Sequence, residues 1–378
     1  MLGVIDPELG DNVVDLGMYK RAEIDENSGD VTVHLALTTA ACPLRSQLQH
    51  DIKSRVGSIP GAGEVAVRTS EMDREQKSDL MARARWKARD NAPATDIPGR
   101  TRVLAISSGK GGVGKSSVTA NLAVALADRS FKVGVLDADI AGFSIPRMLG
   151  IQGRLQASRS DDKDTPRIDP IVKPIGDGEV RVLSMGFLSA EDEAIMWRGL
   201  MLNRALQHFL EDANWGDLDY LLVDMPPGTG DVQMGLARML PRAEMLIVTT
   251  PALAAQKVAV RAADMARKGY LRVAGVIENM SWFTDNHGER HELYGSGGGH
   301  RLSEEIGSPL LAQLPIVPEV SAGGDSGEPA ALGSGPAREA FDALASAVLE
   351  VAPVVEMSGC SARLLDAVEE NLGPAAAN

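Results

Sequence analysis

One eight-residue glycine-rich segment constrains this chain more than any other feature. Residues 109–116 read Gly-Lys-Gly-Gly-Val-Gly-Lys-Ser and fit the phosphate-loop pattern G-x-x-x-x-G-K-[ST]. In such a loop the backbone N–H groups turn inward around a polyphosphate, Lys115 reaches the terminal phosphates, and the hydroxyl of Ser116 holds Mg²⁺. An apolar run precedes the loop at 102–107, and residues 117–129 have the apolar spacing of a helix. A strand, a glycine loop and a helix in this order place an anion at a positive helix end, which predicts nucleotide binding.

A second lysine, Lys110, lies inside the loop, where an ordinary phosphate loop has no need of one. The Lys-Gly-Gly-Val-Gly-Lys-Ser loop resembles the deviant Walker A group, which includes the MinD/ParA partition ATPases, nitrogenase iron protein and the iron–sulfur carrier ATPases. The resemblance implies that Lys110 reaches the nucleotide of a partner subunit and supplies positive charge as an arginine finger does. It therefore predicts a homodimer in the ATP-bound state, with a solvated loop lysine as the alternative. The loop residues predicted to bind the nucleotide are Gly109, Lys110, Gly111, Gly112, Val113, Gly114, Lys115, Ser116 and Ser117.

The acidic balance of the chain argues against two classes of partner. The 378 residues carry a formal net charge of −14, whereas sequence-independent binding to DNA or to an anionic membrane needs a surface rich in Lys and Arg. The chain has no long uncharged apolar stretch, and its N-terminus lacks the basic region of a signal peptide. The two cysteines, Cys42 and Cys360, are too few for a disulfide framework. We therefore expect a cytoplasmic protein that binds neither nucleic acid nor membrane.

Composition and patterning divide the chain into four segments. We expect a small α+β domain at residues 1–71 and a linker at 72–100. A P-loop ATPase domain is expected at 101–352 and a C-terminal tail at 353–378. The ATPase segment alternates short Val/Ile/Leu runs with amphipathic helices, which predicts an α/β fold with a mostly parallel sheet covered by helices on both faces. The small domain is predicted to contain strand 31–37 and helix 42–57, and the strands predicted for the ATPase sheet are Val103–Ser107, Val133–Asp137, Val180–Met185, Tyr220–Asp224, Met245–Thr249, Val273–Ile277 and Leu310–Leu314.

Acidic residues follow two of these strands, at the sheet edge where ligands bind in open α/β folds. Asp137 and Asp139 come directly after a Val-rich run, and Asp224 ends the run Leu-Leu-Val-Asp. An apolar strand that ends in Asp is the Walker B arrangement, so we expect Asp224 to hold Mg²⁺ together with Ser116. Either Asp139 or Asp137 could orient the attacking water, and we prefer Asp139. Helix capping is the alternative role for an Asp at a strand end.

Four segments together resemble the Mrp-type iron–sulfur cluster carrier ATPases. They are the loop at 109–116, Asp-Ala-Asp-Ile-Ala-Gly-Phe-Ser-Ile-Pro at 137–146, Asp-Met-Pro-Pro-Gly-Thr-Gly-Asp at 224–231 and Ile-Glu-Asn-Met-Ser at 277–281. The resemblance implies an ATPase that uses ATP and Mg²⁺, binds an iron–sulfur cluster such as 4Fe–4S, and transfers it to apoproteins or assists assembly factors. It also places Asn279 where the adenine-reading residue of the group would be, and its amide can pair with the adenine edge.

Residues 4–50 resemble a second family, the small domain shared by iron–sulfur assembly factors. The similarity rests on Asp-Pro-Glu-Leu at 6–9, Val-Asp-Leu-Gly-Met at 14–18 and Thr-Thr-Ala-Ala-Cys-Pro-Leu at 38–44. Fusion of this domain ahead of the ATPase is typical of long Mrp proteins. The resemblance makes Cys42 a candidate for a functional thiol, and a small buried residue beside a proline is the alternative.

The resemblance fails where the carrier family has its cluster ligands. The family carries a Cys-x-x-Cys pair after Glu-Asn-Met-Ser, whereas residues 281–291 here read Ser-Trp-Phe-Thr-Asp-Asn-His-Gly-Glu-Arg-His. Because thiolates hold iron–sulfur clusters, the usual ligand set is absent and the cluster ligands stay open. Cys360 is a further candidate thiolate, with an exposed thiol of no role as the alternative.

The same segment contains imidazoles and carboxylates that could bind zinc or iron instead. A solvated loop or an active-site lid is the alternative for a segment so rich in glycine. The residues concerned are Asp285, His287, Glu289, His291 and His300.

Two further functions are weighed against the carrier. A MinD/ParA-type partition ATPase should carry a basic amphipathic C-terminal helix or a basic surface stripe, but the polar positions of residues 362–370 are mainly acidic. An ATP-dependent regulatory dimer that binds protein clients through residues 1–71 agrees with the missing cysteines. Iron analysis after reconstitution separates this dimer from a carrier, and co-sedimentation with DNA or liposomes tests the partition function.

Replacement of Lys115 tests the phosphate loop directly. Because Lys115 is predicted to hold the phosphates, Lys115→Ala should abolish ATP turnover, measured as phosphate release. Asp139→Ala is the comparison variant, since a residue that only orients water should leave ATP binding intact while hydrolysis slows. Retained turnover in the first variant would remove the loop from the mechanism. Weakened binding with normal turnover per bound ATP in the second would refute the role of Asp139.

Overall fold

A computed structural model of the protein shows two compact units. They are Met1–Ala92 and Pro93–Asn378. The division falls inside the segment 72–100, for which the sequence predicts a linker. The structure describes residues 1–6, 11–38, 45–73, 75–77, 79–80, 82–83, 95–139, 142–158, 166–188, 199–228, 230–269 and 271–354.

The first unit contains a three-stranded sheet and one long helix. The strands lie in the order β3-β4-β5, with β3 and β4 antiparallel and β4 and β5 parallel. Helix α1 connects the two parallel strands and buries Leu48, Ile52 and Val56, whose spacing of four residues makes one apolar stripe. Residues 75–77, 79–80 and 82–83 are also helical. The elements are β1 (Ile5–Asp6), β2 (Asp11–Asn12), β3 (Tyr19–Ile24), β4 (Val31–Leu37), α1 (Arg45–Gly57) and β5 (Val65–Glu71).

The second unit is built on an eight-stranded sheet. Its strands lie in the order β10-β11-β7-β12-β6-β13-β14-β17, and every neighbouring pair is parallel except the edge pair β10 and β11. The bounds are β6 (Arg102–Ser107), β7 (Lys132–Asp137), β10 (Ile171–Ile175), β11 (Gly178–Ser184), β12 (Tyr220–Asp224), β13 (Glu244–Thr249), β14 (Arg272–Glu278) and β17 (Leu310–Gln313).

Helices cover both faces of this sheet because its strands alternate apolar side chains between two cores. Leu104 and Ile106 of β6 belong to the core under α2 and α9, whereas Val103 and Ala105 belong to the core under α4, α5, α6 and α7. The helices are α2 (Lys115–Ala127), α3 (Ile145–Met148), α4 (Gly199–Glu211), α5 (Asp231–Met239), α6 (Leu253–Lys268), α7 (Gly298–Ile306), α8 (Pro318–Ser326) and α9 (Pro336–Val351), with short 3₁₀ turns at Met185–Leu188 and Ala330–Leu332. Two-stranded pairs are formed by β8 (Gln156–Ser158) with β9 (Arg167–Asp169) and by β15 (Phe283–Thr284) with β16 (Arg290–His291).

The predicted fold class, a mostly parallel α/β sheet preceded by a small α+β domain, is confirmed. Each strand predicted for the large sheet is present with ends within two residues of the prediction. The predicted helix 42–57 begins at Arg45 in the described part of the chain, and Cys42 lies outside the described residues. Strand β10 was not predicted, because it is a half-exposed edge strand interrupted by Pro174, a residue that sheets accept at their edges.

Candidate functional site

The phosphate loop leads from the end of β6 into the first turn of α2. Gly112 (φ 79°) and Gly114 (φ 80°) lie in the left-handed region that other residues rarely adopt. Gly109 is required for another reason, because a Cβ there would collide with the backbone of α6 at Val258. These three glycines set the path of the loop and bring it to the N-terminus of α2, where the helix dipole favours an anion.

Lys115, at the start of α2, is a buried cation between two carboxylates. Its Nζ lies 2.7 Å from Asp224 Oδ1 and 4.0 Å from Asp139 Oδ2. It also lies 3.4 Å from the hydroxyl oxygen of Ser116. A buried ammonium requires such partners, because an unpaired charge in the interior costs several kcal/mol.

Asp224 ends the central strand β12, and its carboxylate is fully buried. Oδ2 accepts a hydrogen bond from Ser116 Oγ (2.6 Å), and Oδ1 accepts from Lys115 Nζ and from Thr119 Oγ1 (3.0 Å). The two residues predicted to hold Mg²⁺, Ser116 and Asp224, are therefore in direct contact. Their hydroxyl and carboxylate oxygens are the hard donors that Mg²⁺ prefers, so the residues fit the ion.

Thr119 is a site residue that the sequence analysis missed. It is buried on α2 four residues after Lys115, so it lies one turn along the same helix face. Its hydroxyl also lies 3.0 Å from the backbone carbonyl of Lys115. A hydroxyl one turn after the loop lysine is the signal that could have found it.

Asp137 lies beside Asp224 on the neighbouring strand β7, and the strand register pairs the two residues. Burial, and next the nearby Asp224 carboxylate, raise the pKa of Asp137 to about 7. Its Oδ2 accepts hydrogen bonds from Ser184 Oγ (3.0 Å) and from the N–H groups of Ser144 (3.2 Å) and Ile145 (3.3 Å). Asp137 thus contacts the backbone at the start of α3. Ser184 was also missed by the sequence analysis.

Asp139 is the strand-end carboxylate that borders the open space beside the loop. Its N–H donates to Asp137 Oδ1 (3.3 Å), and its own carboxylate lies near Lys115. Asp139 and the loop together line a cavity of about 260 Å³, and the exposed Lys110 is not part of that lining. The lining residues are Ser108, Gly111, Gly112, Gly114, Lys115, Ser116, Ser117, Asp139, Gly142, Ser144, Met148 and Pro227.

The segment after Asp224 is tied to the beginning of the phosphate loop. The N–H of Gly228 donates to the carbonyl of Ser108 at 3.1 Å, and Gly228 has a φ of 97°. The amide of Gln233 on α5 donates to the carbonyl of Pro226 at 2.5 Å. The Pro-Pro-Gly segment at 226–228 therefore contacts both the phosphate loop and α5.

Asn279 follows β14 and contacts the loop from the other side. Its Nδ2 donates to the carbonyl of Val113 at 2.9 Å, and its N–H donates to the carbonyl of Thr249 at 2.8 Å. A Cβ on Gly114 would collide with the amide of Asn279, so this contact adds a second reason for glycine at that position. The role of Asn279 in reading adenine stays a prediction.

The preceding residue, Glu278, is a buried carboxylate that fixes both ends of the segment 281–299. Oε1 accepts hydrogen bonds from Ser281 Oγ (2.9 Å) and from Gln313 Nε2 (2.6 Å). Oε2 accepts from the N–H of Gly299 (2.5 Å) in the first turn of α7. The segment that contains the β15–β16 hairpin is therefore fixed before and after the hairpin to the last residue of β14. The next residue, Asn279, contacts the phosphate loop.

Only part of the candidate ligand set for iron or zinc can be placed. Cys42 and Cys360 lie outside the described residues. Asp285, Glu289 and His291 converge in the β15–β16 hairpin, with one possible ligand atom from each lying within 4.8 Å of the others. His287 and His300 are not members of this group.

Comparisons with known proteins agree with this geometry. The family described as NUBPL iron-transfer P-loop NTPase matches residues 99–349, and the family described as iron-sulfur cluster assembly protein matches residues 1–67. An iron-sulfur cluster carrier protein from Mycobacterium leprae is 44% identical over 336 residues, which cover 87% of this chain and 85% of that protein. The chain belongs to the iron-transfer P-loop NTPase family.

Further similarities extend over most of this iron-transfer P-loop NTPase. An iron-sulfur cluster carrier protein from a Synechocystis strain is 39% identical over 359 residues, which cover 94% of this chain and 96% of that protein. The solved structure of a nucleotide-binding protein from Archaeoglobus fulgidus in complex with ADP is similar, with 33% sequence identity and a TM-score of 0.51. The similarity covers 64% of this chain and 91% of that protein's chain. The predicted family and the ATPase class are thereby confirmed. Within the described ranges, no helix is long and apolar enough to cross a membrane.

Removal of the Thr119 hydroxyl should measure how much the Asp224 network contributes to stability. Thr119→Val keeps the shape of the side chain but leaves Asp224 Oδ1 with one donor fewer in a buried site. We expect the free energy of unfolding of the nucleotide-free protein to fall by about 1–2 kcal/mol, measured by urea denaturation. Thr119→Ser keeps a hydroxyl and should lose less. Equal stability of the Val variant and the original protein would show that the hydroxyl adds nothing to the pairing of Asp224.

Proposed function

We propose that this P-loop NTPase is a homodimeric ATPase that binds Mg-ATP and carries iron–sulfur clusters to apoproteins or to their assembly factors. The observation that carries the proposal is the contact of Lys115, Ser116 and Asp224 beneath a glycine loop, in a chain of the iron-transfer family. The similar Archaeoglobus fulgidus protein is in complex with ADP, which supports an adenine nucleotide as the ligand.

The residues around the loop supply what ATP hydrolysis requires of a protein. The glycine loop would bind the phosphates through backbone N–H groups, and Lys115 would turn from Asp224 toward them. Ser116 and Asp224 would hold Mg²⁺, which neutralises charge on the phosphates when bound. Asp139, beside the cavity, would accept a hydrogen bond from the attacking water and orient it.

The contacts of Asp224 indicate why Mg²⁺ and nucleotide should bind together. Both oxygens of this buried carboxylate are occupied by Lys115, Ser116 and Thr119. Movement of the lysine toward phosphate would leave the carboxylate short of positive charge, and such a deficit is costly in the interior. A cation at Ser116 and Asp224 removes the deficit, so each ligand should favour the other.

The exposure of Lys110 supports a role between subunits. Lys110 is exposed and is not among the residues that line the cavity beside its own loop. An exposed cation directly beside a phosphate site is suited to reach the nucleotide of a second copy, where it would stabilise the charge of phosphoryl transfer. Lys110 is therefore assigned to the partner's nucleotide, and the active form of the protein is a homodimer.

The cargo requires ligands other than the family's Cys-x-x-Cys pair, which is absent from residues 281–291. Cys42 and Cys360 are the two cysteines of the chain and each is a candidate thiolate ligand, since thiolates hold iron–sulfur clusters. The missing pair also favours a second candidate function, an ATP-dependent dimer that binds protein clients and holds no cluster of its own.

The action of Lys110 between subunits is tested by mixing two variants. Lys110→Ala and Asp139→Ala should each hydrolyse ATP slowly when alone. In a mixed dimer, the site of the Lys110 variant keeps its own Asp139 and receives Lys110 from the Asp139 variant. With random pairing of equal amounts, about half of the dimers are mixed, and each mixed dimer has one complete site of two. The mixture should therefore release phosphate at about a quarter of the original rate.

The matched control replaces the Lys110 variant with Lys115→Ala in the same mixture. Neither site of that mixed dimer is complete, so the rate should stay low. Absence of recovery in the first mixture, with mixed dimers demonstrated by differently tagged subunits, would place Lys110 within its own site or outside catalysis.

Cluster carriage is tested by anaerobic reconstitution with ferrous iron and sulfide. A carrier should retain iron and acid-labile sulfide in equal amounts and should activate an iron–sulfur apoenzyme added afterwards. Cys42→Ala and Cys360→Ala, examined in the same way, would identify the thiolates by loss of iron. Tight ATP binding without retained iron would contradict the carrier and favour the client-binding dimer.

A further inference from the structure

The β15–β16 hairpin brings three potential metal ligands to one of its faces. Phe283 pairs with His291 and Thr284 with Arg290 in antiparallel register, and the N–H of Asp285 donates to the carbonyl of Glu289 at 3.0 Å. Asp285 and Glu289 are therefore opposite each other one step beyond the last paired residues. Because side chains alternate along a strand, Glu289 and His291 share a face with Asp285.

The single basic residue between these ligands is held on the opposite face. Arg290 lies between Glu289 and His291 in sequence, and its guanidinium carbon lies 4.6 Å from the ring centre of Trp282. The cation thus packs against the indole and does not neutralise the carboxylates across the ribbon. The other face combines two carboxylates with one imidazole.

Asp285 is oriented toward His291 by the turn of the hairpin. Its Oδ1 accepts hydrogen bonds from the N–H groups of His287 (2.8 Å) and Glu289 (3.0 Å). The other oxygen, Oδ2, lies 2.8 Å from His291 Nε2. The His291 contact first, and then these backbone donors, lower the pKa of Asp285.

The distances allow one ion to replace the contact between His291 and Asp285. One ligand atom from each of Asp285, Glu289 and His291 lies within 4.8 Å of the others. The side chain of Glu289 is exposed. Ligands bound to a common zinc ion at about 2.0–2.1 Å lie closer together than this limit, so a small change of rotamer closes the site.

We propose that Asp285, Glu289 and His291 bind one divalent transition-metal ion of the Zn²⁺, Fe²⁺ or Co²⁺ class. An imidazole nitrogen with two carboxylate oxygens suits these ions, whereas Mg²⁺ and Ca²⁺ prefer oxygen ligands alone. Three protein ligands leave further positions to water or to an incoming ligand. The site contains none of the residues assigned above to the nucleotide or to the cluster.

The test is a Co²⁺ titration of the full chain without a polyhistidine tag, in excess Mg²⁺ and without nucleotide. The expected result is one Co²⁺ per chain with visible absorption typical of nitrogen and oxygen ligands and no thiolate charge-transfer band. His291→Ala and Glu289→Gln should each weaken binding at least about tenfold. His287→Ala is the matched control, because it removes an imidazole from the same hairpin but outside the group, and its affinity should be unchanged.

Two results would overturn the proposal. One is equal Co²⁺ affinity in the original protein and in the His291 and Glu289 variants, which would leave Asp285 and His291 as a hydrogen-bonded pair that only ties the hairpin. The other is a spectrum dominated by thiolate bands, which would place the ion on cysteine. ATP turnover and the unfolding temperature of each variant should match the original protein, so a change in Co²⁺ affinity cannot be attributed to loss of folding.

Discussion

The buried pairing of Asp224 with Lys115 is the interaction on which the rest of the site depends. A carboxylate without solvent contact at the end of a central strand is tolerated only when cations and hydroxyls surround it. Lys115 reaches Asp224 because α2 begins directly after a loop that turns through Gly112 and Gly114. Ser116 follows Lys115 in sequence, and Thr119 follows one helical turn later. Loop, helix start and strand end are thus fixed by one set of contacts.

Asp137, a second carboxylate beside this pair, has contacts different from those of Asp224 and Asp139. Asp137 lies next to Asp224, yet it turns to Ser184 and to the backbone at the start of α3. Burial, and next the adjacent carboxylate of Asp224, raise the pKa of Asp137, so it holds its proton more tightly than an ordinary Asp. Asp139, two residues on, reaches the cavity. Asp137 contacts the start of α3, whereas Asp139 is the candidate for catalysis, although both belong to one Asp-Ala-Asp segment. The sequence alone favoured Asp139 but could not show that the two side chains have different surroundings.

The parts of the structure that the sequence predicted are those that depend on local patterns. Buried parallel strands are continuous apolar runs, and the glycine loop specifies its own conformation. Ser184 could not be found in this way, because it contacts Asp137 only through the register of β11 against β7, and two distant segments determine that register. Strand β10 is defined by pairing along an edge. The β15–β16 hairpin has two residues in each strand, too few for any periodicity to show.

The segment that contains the β15–β16 hairpin is anchored by backbone and side-chain contacts outside the hairpin itself. Glu278 binds Ser281 before the hairpin and Gly299 after it, so the position of the segment does not depend on its ligands. Asn279, the next residue, donates to Val113 in the phosphate loop. The end of β14 therefore contacts both the phosphate loop and the segment that contains the hairpin. The position of the hairpin is thus set by Glu278 and the backbone around it, and the side chains of Asp285, Glu289 and His291 take no part in that anchoring.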